Sequence, residues 1–168
     1  MTSLPAELPR LLVERAVEAA LAEDLGLAGD LTTQATIGPD ATATAAIVAR
    51  EPGVIAGLPL AEAAFRLIGD GVRFEASLTD GTRVSAGEEV ARISGRARHI
   101  LGGERVALTF LNHLSGIASL TAKFVAQVAG TNARLCDTPN TLPVRRALEN
   151  YTWRCAGVST PRHRLDDS

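Results

Sequence analysis

Of the seventeen basic residues in this 168-residue chain only Lys123 is a lysine, so binding of carboxylates or phosphates falls almost wholly to arginine. The planar guanidinium fork offers paired N–H donors that match both kinds of anion. The formal net charge is −2, and no basic stretch occurs before the last third, where Arg145-Arg146 and Arg162-His163-Arg164 fall. That distribution lacks the footprint of a nucleic-acid binder, and no nucleic-acid partner is expected. Cys136 and Cys155 form no CxxC pair and have no histidine at ligand spacing, which argues against a zinc site or disulfide scaffold and for a reducing cytoplasm. Both are read as small apolar packers. His113, between Leu111, Leu114 and Ile117, is read as a helix-packing or interface histidine, and His99 as a lone residue at a loop or helix start. No residue qualifies as a general base or nucleophile, and no metal site is expected.

Positioning these groups requires an ordered set of elements. Pro9 opens a helical pattern that Gly26 ends. A Thr- and Gly-rich loop is expected over residues 30–40, then a strand over 43–50. Val54-Ile55-Ala56 is short and apolar, and Leu60 to Ile68 repeats at helical spacing. Residues 72–76, 83–84 and 90–93 alternate like hairpin strands of a small antiparallel sheet, punctuated by Asp80-Gly81, Gly87 and Gly95. Ile100 to Val128 reads as one long or once-broken buried helix. Beyond Gly130, a short strand at Arg134-Leu135-Cys136, a helix start at Thr141-Leu142-Pro143, a helix from Val144 to Arg154 and a polar tail with frayed structure follow. The fold class is therefore α+β. No apolar run approaches the roughly 18 residues of a membrane span, and no basic patch followed by an apolar core opens the chain. A cytoplasmic protein without a membrane partner is expected.

An ordered set of motifs adds a resemblance. Glu23-Asp24-Leu25-Gly26, Gly29-Asp30-Leu31-Thr32-Thr33, Gly53-Val54-Ile55-Ala56-Gly57-Leu58, Asp80-Gly81, Glu104-Arg105, Leu114-Ser115-Gly116-Ile117-Ala118, Gly130-Thr131 and Asp137-Thr138 stand in the order and spacing of the quinolinate phosphoribosyltransferases. The chain resembles the amino-terminal part of that family along nearly its whole length. The resemblance implies an amino-terminal α/β sandwich, residues 1–115, followed by an incomplete start of an α/β barrel, residues 116–168. It implies a pentosyltransferase reaction of NAD biosynthesis: quinolinate and phosphoribosyl pyrophosphate, with magnesium, give nicotinate mononucleotide, pyrophosphate and carbon dioxide. It also implies a homodimer, swapped or not, in which one subunit's sandwich closes the other's barrel.

By the same resemblance Arg105 is a substrate-carboxylate arginine, Arg146 keeps the frame of the first barrel helix, and Arg162 or His163-Arg164 takes the place of a family His-Arg pair. An isolated Glu104-Arg105 pair would instead be surface charge, and the tail a basic segment without ligand. Two departures stand out. After Asp137-Thr138 the family carries Arg-Lys-Thr, whereas this chain has Pro139-Asn140-Thr141, and Val144 replaces a glycine. The change removes two cations from a site for anions. Only 52 residues follow Gly116, against about 200 to 250 for a complete (β/α)₈ barrel, so catalysis by this chain alone, and a cofactor bound within it, are not expected. The alternative is a repurposed dimeric enzyme or binding protein for another small carboxylic acid. The run from Asp80 to Val90 also resembles hammerhead strands of biotinyl and lipoyl carriers, but Lys123 lies in a helical run rather than on a hairpin.

Overall fold

The computed structural model describes residues 7–136, 141 and 145–158. Its elements run α1 (Arg10–Leu25), α2 (Leu31–Thr36), β1 (Thr42–Val48), β2 (Gly53–Val54), α3 (Leu58–Ile68), β3 (Val72–Ala76), β4 (Arg83–Val84), β5 (Glu89–Arg96), α4 (Ala97–Val128) and α5 (Arg146–Cys155). An antiparallel sheet in the order β1-β5-β3 lies beside α3 and α4, and α1 packs across both helices. The α+β expectation is met.

The core forms where apolar faces of different period meet. On α1 the stripe Val13, Val17, Leu21 is buried, at spacing i, i+4, i+8. Leu60, Ala61, Ala64 and Phe65 of α3 meet Ile93 of β5 and Leu111, Leu114 and Ala118 of α4 within one cluster. Phe65 stacks on Phe74 of β3 at 5.9 Å between ring centroids. Gly102 and Gly103 let α4 approach α3: a Cβ on Gly103 would lie 3.1 Å from the Phe65 ring.

Several sequence expectations need correction. Residues 31–36 are helical rather than loop, because Asp30 accepts a hydrogen bond from Thr33 N at 2.9 Å, an N-cap that supplies what hydrophobic periodicity does not. Arg98 holds the other end of α2, donating to the Ile37 carbonyl at 2.8 Å. Arg83-Val84 does not pair in a hairpin with the strand that follows but with Gly53-Val54, in a separate two-stranded sheet. Helix α4 passes Gly116 unbroken, buries one face, and leaves Leu120 and Phe124 exposed. Arg134-Leu135-Cys136 has no regular structure: among the described residues no strand pairs with it, and an unpaired strand has no ladder to hold it. The Thr141 to Pro143 helix start lies mostly outside the described residues, as do Asp137 to Asn140, Val144 and the whole tail after Val158. No helix among the described residues is long and apolar enough to cross a membrane.

Candidate functional site

Two of the most specific motifs meet each other. Ser115 and Ser119 lie one above the other on α4, and four helical residues rise about 6 Å, close to the advance of two extended residues. The pair therefore matches alternate residues of the segment after Pro52. Ser119 Oγ accepts from Val54 N at 2.8 Å and Ser115 Oγ accepts from Ala56 N at 3.0 Å, while Ser115 also donates to the Ala56 carbonyl at 3.2 Å. Side chains of a helix thus supply the hydrogen bonds a neighbouring strand would give. Gly53 is required by this approach, since a Cβ there would stand 2.6 Å from Ser119 Oγ. Gly57, at φ +106°, turns the chain into α3, and a Cβ there would stand 3.0 Å from Leu114 Cδ1. These motifs build structure.

Two arginines and three carboxylates meet elsewhere. A cavity of about 610 Å³ is walled by α1, α4 and the start of α5, with Glu23, Asp24, Arg105, His113, Arg145 and Glu149 as its charged and titratable lining and Phe110 and Leu114 at its floor. Arg105 reaches it because it sits two turns into α4, and its Nη1 donates to Asp24 Oδ1 at 2.8 Å. The Arg105 side chain remains 78% exposed. So exposed an ion pair adds little stability; its effect is to aim the guanidinium while most of its five N–H donors stay available. The sequence pair that makes this arrangement is Glu23-Asp24 at the end of α1, one of the motifs read above.

Arg146 is not among the residues lining this cavity; its Nε donates to Thr141 Oγ1 at 3.3 Å. Arg145, one residue earlier, is the one on the wall. Arg162, His163 and Arg164 lie outside the described residues. His113, expected as a helix-packing or interface histidine, is exposed on the cavity wall rather than packed in the core, because Leu111 and Leu114 take the buried face of α4 on either side of it. Sequence reasoning missed Arg145, Asp80 and Tyr151 as site-building residues; only the helical phase of residues 145–155 could have separated Arg145 from Arg146.

Cys155 is buried and Cys136 exposed, and both are free. Burial, reinforced by the Asp80 carboxylate, pushes the Cys155 thiol up to about 12, and the same two causes raise the Tyr151 hydroxyl above its ordinary value. Both groups are therefore protonated at neutral pH, and Cys155 is no nucleophile. Among the described residues no cluster of three or more His, Cys, Asp or Glu is placed to hold a metal ion, so the magnesium implied by resemblance finds no ligand set there.

Comparison with known proteins agrees with this architecture. The family model for the quinolinate phosphoribosyl transferase N-terminal domain matches residues 30–115, and that for the C-terminal domain of the same enzymes matches 117–168. A probable nicotinate-nucleotide pyrophosphorylase (carboxylating) of Synechocystis is 39% identical over the whole chain, which covers 55% of that protein. The corresponding enzyme of Mycobacterium leprae is 40% identical over 90% of the chain, 54% of its own length. The solved nicotinate-nucleotide pyrophosphorylase of Francisella tularensis superposes with a TM-score of 0.91 at 30% identity, covering 100% of this chain and 60% of that one. The chain spans about half the length of the curated relatives it matches. With both family models accounting for residues 30–168 save one position, the chain belongs to the quinolinate phosphoribosyltransferase family.

Proposed function

We propose that these residues form the carboxylate-facing part of a quinolinate phosphoribosyltransferase-like protein of NAD biosynthesis, and that their cavity takes a small aromatic or aliphatic diacid. The carrying observation is the placement of Arg105 and Arg145 on one cavity, with Arg105 held in place by Asp24. The relatives named as pyrophosphorylases support the family reaction as the context, with residues 1–115 as sandwich and 116–168 as the first part of the barrel. Two free cysteines favour a reducing cytoplasm.

A homodimer suits this reading. A groove of about 1070 Å³ between β1 and α4, lined by Ala45, Ile47, Leu101, Leu108 and Leu111, and the exposed Val48 beside it, provide apolar surface for a second copy. The replacement of Arg-Lys by Pro139-Asn140 favours a second reading, in which the ligand is another small acid with fewer charges. Titration calorimetry of the 168-residue chain with the diacids quinolinate, phthalate and succinate and the monoacid benzoate separates the two, with sedimentation giving the oligomer. Binding of a diacid that Arg105→Ala weakens about tenfold or more is expected, the loss of one charge-assisted bond. No heat with any acid, or binding that ignores Arg105→Ala, would sink the reading.

A further inference from the structure

Asp80 does not line the cavity, yet three hydrogen-bond donors converge on its carboxylate. Gly57 N donates to Oδ2 at 2.8 Å and Leu58 N to Oδ1 at 3.1 Å, so Asp80 caps α3 from 22 residues away, at a helix start whose own N-cap residue is a glycine without a side chain to do so. From the opposite side the Tyr151 hydroxyl of α5 donates to Oδ2 at 2.6 Å. Tyr151 is 4% exposed.

The turn that carries Asp80 is held in place. Gly81 N donates to the Ile55 carbonyl at 2.7 Å and Ile55 N to the Thr82 carbonyl at 3.0 Å. The next residue is shaped for the same contact: Gly81, at φ +89°, has the Cys155 carbonyl 3.3 Å from where a Cβ would stand. A side chain at position 81 would push α5 away. Asp80-Gly81 is thus a socket, one residue giving the hydrogen bond and the other the room. On α5, Leu148, Tyr151 and Cys155 are buried in the core, at spacing i, i+3, i+7, so that one face is fixed against the sandwich. The residue at its N-cap is Arg145, which lines the same cavity as Arg105.

We propose that Asp80 and Tyr151 are positioning residues: their hydrogen bond docks α5 on the sandwich and thereby holds Arg145 in the wall of the anion-binding cavity. Neither lines that cavity. The carboxylate bond is fixed at one end to the α3 backbone, so loss of the phenol hydroxyl lets α5 shift relative to the α4 helix that carries Arg105. The consequence for ligand binding rests on the diacid reading given above; the docking itself does not.

Trp153 is the only tryptophan and lies half-buried on α5, so its fluorescence reports the docking independently of any ligand. The test compares the full chain with Tyr151→Phe, which keeps the ring, and with Asp80→Ala and Asp80→Asn, recording Trp153 emission, acrylamide quenching, far-ultraviolet circular dichroism and quinolinate affinity. Expected are a red-shifted, more quenchable Trp153 in Tyr151→Phe with the helix signal retained, and quinolinate binding roughly five- to tenfold weaker. Asp80→Asn, which keeps one acceptor oxygen, should fall between the parent and Asp80→Ala in both readouts.

Unchanged emission and quenching in Tyr151→Phe would overturn the proposal, whatever happens to affinity. A shifted Trp153 with unchanged quinolinate affinity would overturn the positioning role of the pair. Should the parent chain bind no quinolinate, the diacid reading fails, and the docking is still decided by Trp153 alone. Loss of the circular dichroism signal in Asp80→Ala would leave Tyr151→Phe and Asp80→Asn to decide, both of which retain the α3 cap in whole or in part.

Discussion

The seam between α4 and the segment from Gly53 to Leu58 and the cavity around Arg105 lie on the same helix and are built in opposite ways. At the seam, Ser115 and Ser119 reach backbone groups of Val54 and Ala56 beside fully buried Leu114. At the cavity, Arg105 is largely exposed and its guanidinium pairs with one carboxylate, Asp24. The contrast teaches where family motifs spend their specificity. Gly-Val-Ile-Ala-Gly and Leu-Ser-Gly-Ile-Ala are two halves of one structural joint, whereas Arg105 and Arg145 line a cavity between α1, α4 and the start of α5.

Breaking the seam should have the largest effect. Replacing Ser115 and Ser119 together by alanine leaves the Val54 and Ala56 amides short of acceptors, at about 1–3 kcal/mol for each part-buried group. Urea unfolding should show a lower midpoint with little change in slope; a double variant as stable as the parent would show that the serines are dispensable to the joint.

The docking of α5 sharpens the comparison through pH. The Cys155 thiol is raised to about 12 from an ordinary value of 9.0, so the folded state keeps its proton while the unfolded chain ionises. Its contribution to stability is complete below pH 9 and is lost as pH rises towards 12, and the raised Tyr151 hydroxyl acts in the same direction. Melting temperature should therefore fall across that alkaline window, and Cys155→Ala should make the fall shallower. An equally steep decline in the variant would assign it to other groups.

The smallest stability effect belongs to the cavity. Arg105→Ala should change unfolding free energy by no more than about 0.5–1 kcal/mol, because an exposed ion pair contributes little. A larger loss on thermal unfolding would mean that Arg105 supports the fold and would erase the division between the two regions.

How much was legible in the sequence follows the same division. Helices α1, α3, α4 and α5 are read from apolar periodicity within a few residues, because each buries one face; strands β1, β3 and β5 are read from turn signals and alternation, β1 although six of its seven residues are exposed. Helix α2 was not, since its stability comes from the Asp30 cap and from Arg98, which is 61 residues beyond Ile37. Nor was the partner of β4, because a two-residue strand carries no register information. Arg105, named through its motif, lies on the cavity wall, and Arg145 lies there where Arg146 was named.

The order of residues by itself determined the elements, the family and the near-exclusive use of arginine, because local period and motif order are written along the chain. Which arginine faces the cavity, which serines replace a strand, and why Asp80-Gly81 receives α5 depended on the tertiary structure. Those assignments turn on one helical step of about 100° and on contacts across 59 to 71 positions, and neither is encoded in any local window.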